Sequence, residues 1–170
     1  MLTFAEINVT NLPVKVTLLV VGASNNPHFI AAQRDYEQRL SHYIQFEMVV
    51  VPDVKNARSL SEEQLKQREG EQIIKNFQSG DYIVLLDEHG KEFRSIELAQ
   101  WMQTRMNSGC RRLVLVVGGA YGFSQEVYDR ADALLSLSRL TFSHQMIRLL
   151  FVEQLYRAMT ILRGEPYHHE

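Results

Sequence analysis

The sequence contains little that would place it outside a reducing compartment. A single cysteine, Cys110, among 170 residues excludes an internal disulfide and is typical of a cytoplasmic protein. No apolar run approaches the roughly 20 residues that a membrane-spanning helix needs. The first residues carry Glu6 instead of a basic flank, so they do not resemble a secretion signal. We therefore expect a cytoplasmic protein without a membrane partner.

The sequence also has no excess of positive over negative charge. Lys and Arg number 18 against 20 Asp and Glu, which gives a formal net charge of −2. Such a chain has no overall electrostatic attraction for nucleic acid. Any RNA partner would have to be held by local arginines, by shape or by another surface.

Several catalytic signatures are missing. The sequence has no G-x-x-x-x-G-K-[ST] phosphate loop, no G-x-S-x-G, no C-x-x-C and no H-E-x-x-H. The tail contains His168 and His169, but adjacent histidines do not easily converge on one ion, so we predict no metal site. A P-loop ATPase, a serine hydrolase and a dithiol redox enzyme are disfavoured on these grounds.

What is present is an alternation of short apolar runs with segments of helical periodicity. We predict one α/β domain over residues 14–170, with a mostly parallel sheet and helices on both faces. Residues 1–13 show no period and are predicted to be an N-terminal extension, whether ordered or disordered. The predicted strands are Lys15–Val21, Phe46–Val51, Tyr82–Leu86, Leu113–Val117 and Ala133–Leu137. The predicted helices cover His28–Tyr43, a segment beginning with the capping box at Ser61, a segment opening at Ser95, a short helix before Ala133 and a long helix from near His144.

Two loops at strand ends stand out. Gly118 and Gly119 follow the strand Leu113–Val117 directly, and Gly122 comes three residues later. The loop Ser138–Ser143 follows the next apolar run. In an α/β sheet, two such loops predict a ligand crevice at the carboxyl edge. From the residues alone, a ligand loop and a tight packing turn are about equally favoured.

The last helix and the tail offer further candidates. His144 and Arg148 lie four residues apart and therefore on one helix face, where they are either surface residues or a grip for phosphate or a uracil-like carbonyl. Glu153 and Arg157 have the same spacing and are better interpreted as an intrahelical ion pair. The apolar face that follows is either core or dimer contact. Its residues are Leu149, Leu150, Val152, Leu155, Tyr156 and Met159.

Four motifs occur in order with a spacing that resembles one family. They are GGAYGFS, LSLSRLTFSHQMIR, VEQLYRA and the ending RGEPYHHE, within a match from about Val14 to Glu170. The chain is identified by them as similar to the ribosomal large-subunit pseudouridine methyltransferase H family, in the SPOUT class of knotted methyltransferases. The resemblance implies a C-terminal trefoil knot, a homodimer and S-adenosylmethionine as cofactor.

The resemblance also implies which residues bind the cofactor. Gly118 matches a glycine that binds S-adenosylmethionine, and Leu86 matches a leucine beside the adenosine. The segment from Leu137 to Phe142, which comprises Leu137, Ser138, Arg139, Leu140, Thr141 and Phe142, matches the cofactor loop. Ser143 and Gln145 replace prolines that some relatives carry, and His169 stands where many members have arginine.

The implied reaction is methylation of N3 of a pseudouridine in 23S ribosomal RNA, in the helix 69 stem-loop of the assembled ribosome. On the acceptor side we predict Arg148 as the cation that stabilises the imide anion, with His144, Tyr167 and His168 as positioning or proton-handling groups. Two alternatives remain open at this point: a SPOUT methyltransferase with another RNA target, and a ribosome-binding module without catalysis.

Overall fold

The computed structural model describes residues 14–169, and the predicted extension at residues 1–13 lies outside them. Five strands form one parallel sheet in the order β2-β1-β4-β3-β5. The strands are β1 (Lys15–Val21), β2 (Gln45–Val51), β3 (Asp81–Glu92), β4 (Arg112–Val117) and β5 (Ala133–Ser136). The helices are α1 (Pro27–Leu40), α2 (Glu62–Ile74), α3 (Ser95–Met106), α4 (Gln125–Arg130) and α5 (His144–Leu162). The predicted α/β class and the parallel sheet are confirmed.

The central strands β1 and β4 are buried on both faces, which explains why their sequences are continuous apolar runs instead of alternating ones. Along β1, Leu18 and Val20 pack into the core formed with α1, α3 and α5. Leu19 and Val21 point the other way, into a second core that contains Ile73 of α2 and Val127 of α4. Helices therefore cover both faces of the sheet.

Local signals explain most of the element boundaries. Ser61 accepts a hydrogen bond from Gln64 N and the Gln64 side chain returns one to Ser61 N, so the predicted capping box opens α2. β3 is longer than the predicted Tyr82–Leu86. Its pairing with β5 shifts register between Leu86 and Lys91 and then continues, a long-range bulge that the local pattern of Asp87–Gly90 did not indicate.

The chain crosses the carboxyl edge of the sheet between β5 and α5. β5 is an edge strand, yet the first turns of α5 contact the end of β1, two strands beyond β3. Gln145 accepts hydrogen bonds from Asn25 N (3.0 Å) and Asn26 N (2.9 Å) in the β1–α1 loop. Residues 137–143, which we name the crossing segment, therefore lie over the ends of β3 and β4.

No helix within residues 14–169 is long and apolar enough to cross a membrane. In the same part of the chain, no three His, Cys, Asp or Glu side chains come together as a metal site.

Candidate active site

A cavity of about 540 Å³ lies under the crossing segment. Its walls come from the end of β3, the glycine loop after β4, the end of β5 and the first turn of α5. Residues predicted for the cofactor or acceptor that line it are Leu86, Gly118, Leu137, Ser138, Leu140, Thr141, Phe142 and His144. The structure thus brings two loops and a strand end that are far apart in sequence into one site of small-molecule size.

Two glycines in this wall lie close to side chains of their own chain. A Cβ on Gly118 would lie 3.0 Å from the ring of Phe123, and one on Gly119 would overlap the carboxyl of Glu69. The two residues are not in a left-handed conformation, so close approach is the reason for glycine here. The loop then doubles back through a bridge between Gly119 and Gly122. These are packing contacts within the chain, and the same loop also lines the cavity.

The cavity wall also contains an anchored carboxylate, Asp87, which was not among the predicted site residues. Asp87 accepts hydrogen bonds from the Tyr128 hydroxyl, from His89 N (2.8 Å) and from the ring of His89 (2.9 Å). Burial works to raise the pKa of Asp87, but these hydrogen bonds hold that pKa below its usual value. Burial and then the hydrogen bond to Asp87 raise the pKa of Tyr128. Asp87 follows the apolar run Tyr82–Leu86 directly, which is the signal that could have identified it.

One predicted cofactor residue has its side chain outside the cavity. The Arg139 side chain is 88% exposed and forms an ion pair with Glu92, with 3.0 Å between Nε and Oε1. Only the main chain of Arg139 remains available to a ligand beneath the crossing segment.

His144 and Arg148 share a helix face, as predicted, but occupy different environments. His144 lines the cavity, whereas Arg148 is only 2% exposed and does not. Arg148 donates to the carbonyl of Val21 (2.5 Å) and to Ser24 Oγ (3.0 Å), at the carboxyl end of β1. The alternative of a surface arginine is therefore wrong: Arg148 is buried, and burial lowers its pKa.

The tail folds back onto the far end of α5. The Tyr167 hydroxyl donates to Glu153 (3.0 Å) and lies 3.2 Å from the hydroxyl of Tyr36, while its ring packs edge-on against Tyr156. Burial, followed by these hydrogen bonds, raises the pKa of Tyr167. His168 lies 3.4 Å from Arg157. Tyr167 and His168 are therefore packed, and they do not line the cavity of their own chain.

Two predictions for α5 concerned an ion pair and an apolar face. Glu153 and Arg157 form the predicted ion pair, with 2.6 Å between Oε1 and Nη2. The predicted apolar face divides, because α1 and α3 cover most of the helix: Val152, Leu155 and Met159 are buried in the chain's own core. Leu149, Leu150 and Tyr156 are half-buried.

The relatives match the chain almost end to end. The family described as "Predicted SPOUT methyltransferase" matches residues 14–168. A Bacteroides fragilis protein named ribosomal RNA large subunit methyltransferase H is 58% identical over 92% of this chain and 99% of its own length. The protein of the same name from Bacteroides thetaiotaomicron is 59% identical over the same shares.

Solved structures agree on the fold. A probable methyltransferase from Bordetella pertussis has a TM-score of 0.54 at 11% identity, over 89% of this chain and 98% of that one. A probable methylase family protein from Haemophilus influenzae has a TM-score of 0.53 at 12% identity, over 88% of this chain and 66% of that one. At such identities only the architecture is shared. Together with the matches in sequence, it shows that the chain belongs to the SPOUT methyltransferases, among the ribosomal RNA large subunit methyltransferase H proteins.

Proposed function

We propose that the protein transfers a methyl group from S-adenosylmethionine to N3 of a pseudouridine in helix 69 of 23S ribosomal RNA, on the assembled ribosome. The observation that carries the proposal is the cavity in which the glycine loop, the end of β3 and the crossing segment meet. Family membership supplies the reaction class. The trefoil knot implied by the resemblance belongs to the proposal too, and it is supported by the way the crossing segment passes over β3 and β4 to reach β1.

The cavity suits the donor. Leu86, Leu137 and Ile147 offer apolar walls for a flat base, and Gly118 allows the ligand to rest on the main chain. S-adenosylmethionine carries a positive sulfonium and a positive ammonium, and Asp87 is a carboxylate held ionised in the wall. The donor brings an already activated methyl group, so the residues of this chain mainly have to orient it.

The acceptor chemistry requires a proton to leave and a negative charge to be stabilised. N3 of the base is a weakly acidic imide, and it becomes nucleophilic when its proton is lost. Arg148 has a buried positive charge at the end of β1, where low dielectric strengthens its field on an imide anion. We propose that Arg148 stabilises the imide anion from the carboxyl end of β1. His144 would position the nucleobase from the cavity wall.

The tail is proposed to serve a second copy of the chain. Tyr167 bonds to Glu153, which lies nine residues beyond His144 along α5, roughly 14 Å at 1.5 Å per residue. A tail bound at Glu153 cannot also reach the cavity of its own chain. We propose a homodimer in which Tyr167 and His168 of one protomer meet the acceptor at the cavity of its partner. Stacking of an aromatic ring on an unpaired base would add about 1–3 kcal/mol at a site without net positive charge.

Radiolabelled methyl transfer tests the proposal directly. The protein should label ribosomes much faster than free ribosomal RNA, and the label should map to N3 of one pseudouridine. Label at another position of the RNA would identify a SPOUT methyltransferase with a different target. A protein that binds ribosomes and S-adenosylmethionine but transfers no methyl group would contradict the catalytic assignment.

A further inference from the structure

The cavity proposed for the donor has one permanently positive side chain in its wall. Among residues 14–169, Lys66 of α2 is the only lysine or arginine that lines it. The acids of the wall are Asp87 and Glu88, which follow Leu86 directly in β3. A ligand in this cavity therefore meets a cation from the helix side and carboxylates from the end of a strand.

The helix α2 brings Lys66 to the cavity by packing on the glycine loop. A Cβ on Gly119 would overlap the carboxyl of Glu69, and a Cβ on Gly70 would stand 2.3 Å from Ser124 Oγ, so helix and loop are in close contact. Lys66 lies three residues before Glu69 and hence on the same face of α2. The packing that holds Glu69 against the loop therefore also places Lys66 beside it.

The ion pair that Lys66 forms within the chain is easily exchanged for another. Lys66 Nζ lies 3.0 Å from Glu63 Oε2, and the Glu63 side chain is 76% exposed. An ion pair with so exposed a partner contributes little, because water and salt screen it. A ligand carboxylate that is partly withdrawn from water in the cavity is a stronger partner for the same ammonium.

Asp87 has an acceptor position left for a ligand. Its Oδ1 atom accepts hydrogen bonds from the main-chain and ring nitrogens of His89, whereas Oδ2 accepts one from the Tyr128 hydroxyl. A carboxylate oxygen can accept two hydrogen bonds. The Asp87 side chain is 8% exposed and lines the cavity, so a ligand in the cavity can supply a second donor to Oδ2.

Strand order separates a polar end of the cavity from an apolar end. Leu86 pairs with Val117 of β4, and the next residues on the two strands are Asp87 and Gly118. On its other side Leu86 pairs with Leu135 of β5, which leads into the crossing segment. The glycine loop, with α2 packed on it, lies towards β4, whereas the apolar side chains of β5 and the crossing segment lie on the opposite side.

We infer that Lys66 and Asp87 bind the amino-acid end of S-adenosylmethionine over the glycine loop, Lys66 its carboxylate and Asp87 its ammonium. The inference rests on the proposed function and assigns these two residues to positioning of the donor. The adenine then lies at the apolar end, and the sulfonium lies between the two ends. Because the methyl group is attached to sulfur, fixing both ends of the donor fixes the direction in which the methyl group points.

Two ligands with a neutral sulfur isolate the amino-acid end. S-adenosylhomocysteine carries this end, and 5′-methylthioadenosine lacks it but keeps the adenosine. In calorimetry, Lys66→Met should bind S-adenosylhomocysteine at least about tenfold more weakly than wild type, because a charge-assisted pair is lost. Its affinity for methylthioadenosine should stay within about twofold, which also verifies that the variant is folded. Lys75→Met, an exposed position at the end of α2, should match wild type with both ligands.

Decarboxylated S-adenosylmethionine separates the two charges of the amino-acid end. It keeps the sulfonium and the ammonium but has no carboxylate, so Lys66→Met should bind it as wild type does. Asp87→Asn should bind it, and S-adenosylhomocysteine too, at least about tenfold more weakly than wild type does. Asp87→Asn should keep its affinity for methylthioadenosine.

The outcomes distinguish the inference from the proposed function. If Lys66→Met weakens methylthioadenosine as much as S-adenosylhomocysteine, or weakens neither, Lys66 does not hold the amino-acid end and the inference is overturned, while methyl transfer stands. An Asp87→Asn variant with wild-type affinity for the decarboxylated donor would overturn the assignment of the ammonium in the same way. A wild-type protein that binds neither S-adenosylmethionine nor S-adenosylhomocysteine would contradict the proposed function itself.

Discussion

Gly118 shows how a single residue limits the donor site. Its Cα faces the ring of Phe123, where an added Cβ would stand 3.0 Å from the nearest ring carbon. We expect Gly118→Ala to weaken S-adenosylmethionine binding and Gly118→Val to abolish it, because the larger side chain must displace the ring or enter the cavity. Calorimetry on both variants measures the effect, with circular dichroism to verify folding. Wild-type affinity in a folded Gly118→Val protein would rule out this placement of the donor.

Arg148 is expected to affect the acceptor and not the donor. Replacing it with alanine would leave a void, so Arg148→Met is the better variant, because it keeps most of the volume and removes the charge. We expect at least a tenfold slower transfer, about 1.4 kcal/mol of barrier, with donor affinity nearly unchanged. Arg34→Met, on the exposed side of α1, is the matched control. If donor binding collapses in Arg148→Met, the arginine belongs to the donor site.

The buried carboxyl of Glu69 should make the thermal stability of the protein depend on pH. Because its folded pKa is raised, the ionised form is disfavoured in the folded protein. The resulting cost is present above the folded pKa and is relieved as the pH falls through that pKa towards the unfolded value. We therefore expect Glu69→Gln to melt no lower than wild type at pH 8, with a smaller advantage at pH 5. Thermal unfolding at the two pH values measures this, and a gain that grows as the pH falls would contradict it.

At the scale of elements, the tail and α5 act as one unit. Tyr167 stacks edge-on against Tyr156 with 4.8 Å between ring centroids, and Arg157 lies 4.8 Å from the centre of the Tyr167 ring. Packing of this kind argues against a frayed terminus. It also explains how a segment with too few apolar residues for a core is kept in place.

A chain ending at Arg163 separates the tail's roles. We expect it to fold with at least about 1 kcal/mol less stability, since the Tyr167–Tyr156 pair and the hydrogen bonds of the Tyr167 hydroxyl are lost. It should still dimerise and still bind S-adenosylmethionine, but it should no longer methylate ribosomes. Tyr167→Phe is the milder comparison, because it keeps the ring and removes only the hydroxyl bonds to Glu153 and Tyr36. Full methylation by the truncated chain would show that the tail serves only packing.

At the scale of the molecule, assembly is the main expectation. The rim of the cavity carries Leu140, 73% exposed, and Tyr121, 48% exposed, two large apolar side chains close to the proposed active site. Together with the tail held away from its own cavity, this rim supports a homodimer. We expect light scattering at micromolar concentration to give twice the 19.7 kDa of one chain. A monomeric mass that added S-adenosylmethionine does not change would contradict the composite site.

The sequence by itself determined most of the secondary-structure elements. Apolar runs such as Leu113–Val117 and caps such as Ser61 act over a few residues, so local patterns were enough to place β1, β4, α2 and α3. The resemblance, carried by motifs that are also local, predicted Leu86, Gly118 and residues 137–142 as cofactor residues, and all of them except Arg139 line one cavity. All of these are properties of contiguous segments.

Only the tertiary structure decided how these segments meet. The burial of Arg148 under β1, the pressure of Glu69 on Gly119 and the distance of Tyr167 from its own cavity all join residues at least 14 positions apart. Periodicity along one helix shows which residues share a face, but what covers that face depends on strand order and on the path of the crossing segment. Charged residues such as Arg148 and Glu69 are usually exposed, so their burial followed from the fold and not from their type.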